Sequence, residues 1–118
     1  MNPYLDEKKN PWIDLTVKLS ISTDIKCLID TGFSGGLALP KYYSHLYEKK
    51  RPIGSEVYEF ANGEQENFLF YEVRTKYKKR KIDVNLMFID TKTPLVGIAF
   101  LQYLYFCLDI SKDIIKLE

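Results

Sequence analysis

The chain has little of the chemistry that binds metals. It carries one histidine and two cysteines in 118 residues. A protein zinc site draws most of its ligands from clustered Cys and His side chains, whereas His45, Cys27 and Cys107 are scattered, so no metal and no cofactor is expected. No apolar run reaches the ~20 residues that a helix needs to cross a bilayer. The opening MNPYLDEKKNPW has no apolar stretch flanked by small residues, so it does not read as a signal peptide. A cytoplasmic location without a membrane partner is therefore expected, and both thiols would stay reduced there. An excess of charge is also missing. Seventeen Lys and Arg against 16 Asp and Glu leave a formal +1, which gives no global attraction to nucleic acid or anionic lipid. A nucleic-acid partner is unexpected unless a local patch supplies it. Repeats, linkers and low-complexity segments are absent too.

What is present suits one soluble globular domain over residues 1–118. Hydrophobic residues make up 46% and charged residues 28%, an ordinary balance for a chain that buries a single core. Residues 1–11 are polar and aperiodic and are expected to form a flexible N-terminal arm. From Trp12 to Leu19 apolar and polar residues alternate with the period of a half-buried strand. A turn over 20–24 leads to a second strand, Ile25 to Asp30, in which Ile25, Cys27 and Ile29 share one face. Leu37 to Leu39 is a short strand, and Pro40 suits the first position of a helix running to about Lys50, with Tyr43, Leu46 and Tyr47 at helical spacing. After a connector over 51–55, the strand around Val57 to Phe60 reaches Asn62-Gly63, the residues that a two-residue type I′ hairpin turn prefers. The return strand runs from Glu64 to Lys76. A basic turn, Tyr77 to Lys81, precedes a strand over Ile82 to Asp90. Pro94 to Gly97 is a short apolar strand, Ile98 to Tyr103 make a helical turn or two with Phe100 and Leu101 inward, and a terminal hairpin turns at Ser111-Lys112. The class is mostly β with one or two short helices.

The chemistry concentrates in IKCLIDTGFSGGLALP, residues 25–40. An apolar strand there stops at Asp30 and enters a glycine-rich turn. Taken alone, Asp30 has a plain reading as the side chain of an Asx-turn, accepting backbone N–H bonds from the residues after it. A phosphate-binding loop does not fit, because the turn lacks the Lys-Ser/Thr ending and is followed by a strand.

Three stretches, in order, give the chain a family likeness. Leu28-Ile29-Asp30-Thr31-Gly32, Ala61-Asn62-Gly63 and Pro94-Leu95-Val96-Gly97-Ile98-Ala99-Phe100-Leu101 resemble the catalytic loop, the flap turn and the closing strand and helix of retropepsin-like aspartic proteases, of the small single-domain prokaryotic type. The resemblance spans roughly residues 12–118. It implies a closed β-barrel with a flap hairpin, and an endopeptidase whose water nucleophile is activated by two aspartates. One Asp-Thr-Gly supplies one carboxylate, so it also implies a homodimer in which Asp30 of each copy completes the pair. Thr31 and Gly32 would support the loop, while Phe33, Ser34, Phe60, Ala61, Asn62, Gly63 and Ile98 would contact a peptide substrate or form the flap. Phe33 stands where Ala or Ser is usual and offers no hydroxyl to the carboxylate. The acidic flap sequence Asn62 to Glu66 hints at basic or polar substrates. Two alternatives stay open: a catalytically weak or inactive peptide-binding module on the same fold, and a small β-barrel RNA-binding protein using Lys76 to Lys81, where basic side chains flank the aromatic Tyr77.

Overall fold

The computed structural model describes residues 3–47 and 51–118. Its strands are β1 (Tyr4–Leu5), β2 (Pro11–Lys18), β3 (Ser22–Ile29), β4 (Leu37–Pro40), β5 (Gly54–Glu59), β6 (Gln65–Tyr77), β7 (Arg80–Ile89), β8 (Leu95–Val96), β9 (Phe106–Asp109) and β10 (Ile114–Leu117). A 3-10 helix covers Lys41–Tyr47, and one α-helical turn, α1, covers Ile98–Leu101.

The alternation in the sequence becomes an inside and an outside. Ile13, Leu15 and Val17 of β2 and Ile25, Cys27 and Ile29 of β3 are all buried, as the two-residue period of a strand requires. The two strands pair antiparallel from Trp12 opposite Leu28 to Lys18 opposite Ser22. From β3 the hydrogen-bonded order runs through β8, β4, β7 and β6, and β6 pairs back onto β2 at Thr16–Lys76 and Val17–Thr75. That last pairing closes the sheet on itself and leaves a barrel filled by Leu37, Leu39, Val73, Leu86, Val96 and Phe100. Closure removes the open sheet edges that would otherwise expose unpaired backbone.

One crossing matters most for the site. β8 lies between β3 and β4, parallel to β3 and antiparallel to β4. The loop from Asp30 to Gly36, which joins β3 to β4, therefore has to pass over β8. Gly97 allows that passage: a Cβ on it would overlap the carbonyl oxygens of Phe33 and Gly35. Gly36 is similarly confined, since its Cβ would lie 2.8 Å from the Asn85 carbonyl oxygen.

Several local expectations change in three dimensions. The segment expected to be a loose arm contains a hairpin, with Tyr4 opposite Trp12 and Leu5 opposite Pro11. The Asp6 carboxylate organises its turn, accepting from the Lys8 and Asn10 amides at 2.8 and 2.9 Å and from the Trp12 indole at 2.8 Å. The indole bond, with the amide bonds, holds the Asp6 carboxyl below its ordinary pKa. Pro40 ends β4 instead of starting a helix, and the following helix is 3-10. Its i, i+3 repeat lets Tyr43 and Leu46 pack together on the core. Residues 48–50, which the sequence reading includes in that helix, lie outside the described residues. At the end of the chain, β9 and β10 pair antiparallel. They are tied to the barrel by the buried Tyr77 hydroxyl, which donates to the Leu117 carbonyl at 3.0 Å.

Candidate active site

Asp30 follows directly on the last residue of β3 and is held from both sides. Its amide donates to the Val96 carbonyl at 2.9 Å, and its carbonyl accepts from the Phe33 amide at 3.1 Å, closing a tight turn. Its carboxylate Oδ1 accepts from the Gly32 amide at 2.9 Å. The Asx-type bond read as the plain alternative is thus present, and it orients the carboxylate while leaving the side chain half-exposed. The rest of the loop is fastened to β8 and α1: the amides of Gly97, Ile98 and Ala99 donate to the carbonyls of Gly36, Phe33 and Gly35 at 3.0, 2.9 and 3.1 Å. Such a network fixes the backbone around an aspartate that two glycines bring close to neighbouring chain.

The flap is the hairpin of β5 and β6, paired from Gly54–Phe70 to Glu59–Gln65. Its turn differs from the expected two-residue type I′. Phe60 and Glu64 are bonded across the end, the Gly63 amide donates to the Phe60 carbonyl at 2.9 Å, and Gly63 alone takes a positive φ, +85°. The result is a three-residue loop, Ala61 to Gly63, in which the Asn62 side chain accepts from the Glu64 amide at 2.9 Å. A type I turn followed by a left-handed glycine gives this geometry.

Beneath the flap, aromatic rings join the flap to the loop. Phe33 meets Tyr58 with ring centroids 6.1 Å apart, Tyr58 meets Phe68 at 5.9 Å, and Phe68 meets Phe60 at 6.4 Å, the last two edge to face. Tilted and edge-on pairs of this kind stabilise beyond the area that they bury. Burial and the charge of Glu56 raise the pKa of the Tyr58 hydroxyl, against an opposing hydrogen bond with Ser34. A cavity of about 290 Å³ lies along this stack, and Asp30, Gly32, Phe33 and Phe60 all line it.

The structure therefore brings together only some of the residues singled out in the sequence. Ser34 faces a second, neighbouring cavity. Thr31 is exposed on the loop. Ala61, Asn62 and Gly63 form the flap tip and line neither cavity. Ile98 is 46% exposed at the start of α1, also outside both, and meets the loop through its amide. Tyr58, Phe68, Met87 and Leu95 line the Asp30 cavity without having been singled out. The two-residue spacing of Tyr58 with Phe60, and of Phe68 with Phe70, is the signal that would have found the aromatic face.

Among the described residues no group of three His, Cys, Asp or Glu side chains is placed to hold a metal, and no helix is long and apolar enough to cross a membrane. The basic stretch around the β6–β7 turn has acids beside it: Lys76 and Lys78 share a depression with Lys26, Asp14 and Asp24.

No family model matches the chain, and no curated protein matches it in sequence. Solved structures do. A retropepsin-like aspartic protease from Rickettsia conorii superposes with a TM-score of 0.74 at 22% identity, over 99% of this chain and 88% of that one. The EIAV protease, solved with an inhibitor, gives 0.67 at 21% identity over 83% of this chain and 90% of its own. The simian foamy virus (mac) protease gives 0.58 at 17% over 78% and 92%. Identities at this level speak for architecture alone, and together with the closed barrel, the flap and the loop crossing β8 they establish that this chain has the retropepsin-like fold.

Proposed function

We propose that this protein is an aspartic endopeptidase, active as a twofold homodimer in which Asp30 of each copy supplies half of the reacting pair. The observation that carries the reading is the placement of Asp30. Its carboxylate is oriented by the Gly32 amide, at the edge of a cavity beneath a hairpin flap, on a fold shared with proteins described as aspartic proteases.

Two carboxylates brought close together share one proton, because both cannot readily ionise side by side. The ionised Asp30 takes a proton from a bound water as its oxygen bonds to the peptide carbonyl carbon, and the protonated Asp30 hydrogen-bonds and protonates the carbonyl oxygen. As the tetrahedral diol collapses the C–N bond breaks, the carboxyl proton passes to the departing nitrogen, and one diol hydroxyl returns its proton to the other, ionised Asp30, so that the pair again shares one proton. No metal or cofactor takes part. Thr31, exposed on the loop, would meet its counterpart across the twofold axis, and Gly32 supplies the amide that orients the carboxylate. The flap, with Ala61 to Gly63 at its tip, would close over an extended peptide and limit access of bulk water. Phe33, Ser34 and Phe60 contact the peptide in this reading. A reducing, cytoplasmic setting suits the free thiols of Cys27 and Cys107.

One observation favours a second reading. Phe33 occupies space beneath the flap and touches Tyr58, an arrangement that suits a module that holds peptides and turns them over slowly or not at all. The experiment is to incubate wild type and Asp30→Asn with a peptide library from mildly acidic to neutral pH and read the products by mass spectrometry. Cleavage by wild type that disappears in the variant is expected. Cleavage that survives in Asp30→Asn would refute the peptidase reading, and no cleavage by either, with peptide binding intact, would leave the binding module.

A further inference from the structure

The flap and the catalytic-loop segment enclose two cavities, and Tyr58 lines both. Gly32 and Phe33 face the inner one, beside Asp30, and Ser34 to Gly36 face the outer one, of about 470 Å³. The Phe33–Tyr58 contact stands between these stretches of loop. An extended peptide running beneath the flap would pass from one cavity to the other, presenting side chains to each at strand spacing.

The two linings differ in chemistry. Phe33, Phe60, Phe68, Met87 and Leu95 give the inner cavity a largely apolar lining, although Glu59, Glu66 and Asp90 also border it beside Asp30. The outer cavity has an apolar wall in Phe70, Val84 and Ala99, with the carboxylates of Glu56, Glu72 and Asp83 around it. Asp83 is already engaged by Arg74, through Nε at 2.8 Å and a second nitrogen at 3.1 Å. Glu56 and Glu72 form no ion pair among the described residues. Among the described residues no lysine or arginine lines either cavity.

We infer that the outer cavity is a specificity subsite for a lysine or arginine side chain, at a fixed separation from an apolar side chain held in the inner cavity. The alkyl stem of such a residue would lie along Phe70 and Val84, as long cationic side chains do on apolar surface. Its charged head would reach Glu56 and Glu72, with the faces of Tyr58 and Tyr103 available for cation–π contact. The substrate class is then an extended segment of protein that carries both an apolar and a basic residue. The inference rests on the peptide-cleft reading above, but does not require turnover.

The test uses the Asp30→Asn protein and labelled peptides that carry one apolar residue and one lysine at varied separations, each compared with the same peptide bearing norleucine in place of lysine. At one separation the lysine peptide should bind about tenfold tighter, the size of effect expected for a charge-assisted contact. Adding Glu56→Gln and Glu72→Gln should bring the ratio close to one, with thermal melting confirming that the protein remains folded. A ratio near one at every separation, or a preference that survives in the double glutamine variant, would overturn the inference. Digestion of the same peptides by wild type separates the two claims. Lysine-selective binding without cleavage sinks the peptidase reading and keeps the subsite; cleavage without a basic preference does the reverse. Neither binding nor cleavage sinks both.

Discussion

Substituting Gly97 by alanine should damage this fold more than any other single-methyl addition at an extended glycine. The added Cβ would face the carbonyl oxygens of Phe33 and Gly35 and approach Phe33 Cδ2 to 2.7 Å. Two of these neighbours are backbone, so no side-chain rotation relieves the clash. Relief requires the Asp30–Gly36 loop to lift from β8, and that movement stretches the three bonds donated by Gly97, Ile98 and Ala99. Overpacking a rigid site costs about 1–3 kcal/mol, and weakening several hydrogen bonds of ~1 kcal/mol each places this substitution at the upper end. A loss of about 3 kcal/mol in a chain of this length lowers the melting temperature by roughly 12 °C. Gly54→Ala is the internal control. No described residue lies within 4 Å of its Cβ, its φ is not positive, and the change should be neutral or stabilise by up to ~1 kcal/mol. Thermal denaturation followed by circular dichroism reads both variants. If Gly97→Ala melts within about 2–3 °C of wild type, a shift worth only ~0.6 kcal/mol, then the loop does not cross β8 as closely as described.

Other perturbations test separate parts of the structure. Burial pushes the Cys27 thiol up to about 12, so iodoacetamide applied to the native protein at pH 8 should label the half-exposed Cys107 first and leave Cys27 until unfolding; equal labelling would contradict the packing of β3. The carboxyls of Asp6 and Asp83 are held below their ordinary value of 3.8, chiefly by hydrogen bonds from Trp12 and Arg74 respectively. Their contribution to stability is complete above that value and is lost as pH falls through the lower folded pKa. Urea unfolding between pH 5 and 2 should therefore show a smaller acid-induced loss in Asp6→Asn and Asp83→Asn than in wild type, and identical slopes would refute the assignment. Phe33→Ala removes a half-buried ring from the contact with Tyr58, should destabilise by about 2 kcal/mol, and should speed amide exchange in β5; unchanged exchange would show that Phe33 does not anchor the flap.

Much of the barrel was legible because a half-buried strand writes its two faces into the sequence. Ile13, Leu15 and Val17, and again Ile25, Cys27 and Ile29, declare one side of a sheet without reference to the rest of the chain. The family likeness then set the order of the larger parts, and the flap lies where Ala61-Asn62-Gly63 placed it. What escaped was decided by contacts distant in sequence. The short strand expected within Pro94 to Gly97 is present as β8, but nothing in those residues says that it lies between β3 and β4. Asp6 reads as one polar residue among many until Trp12 turns its indole toward it. The turn type at the flap depends on the Phe60–Glu64 pairing, which adds a residue to the loop that the Asn-Gly signal alone does not count. Tyr58 and Phe68 belong to no motif of their own, and their place beside Asp30 follows from how the flap folds over the loop.

The most direct test of a reacting pair shared by two copies is a mixing experiment. Wild type at fixed concentration is allowed to exchange subunits with an equal amount of Asp30→Asn, and peptide hydrolysis is followed before and after. Random pairing leaves half of the wild-type chains in mixed dimers that lack one of the two carboxylates, so activity should fall to about half, and further as the variant is added in excess. Activity that stays constant while mixed dimers demonstrably form would show that one Asp30 is sufficient, and would contradict the account.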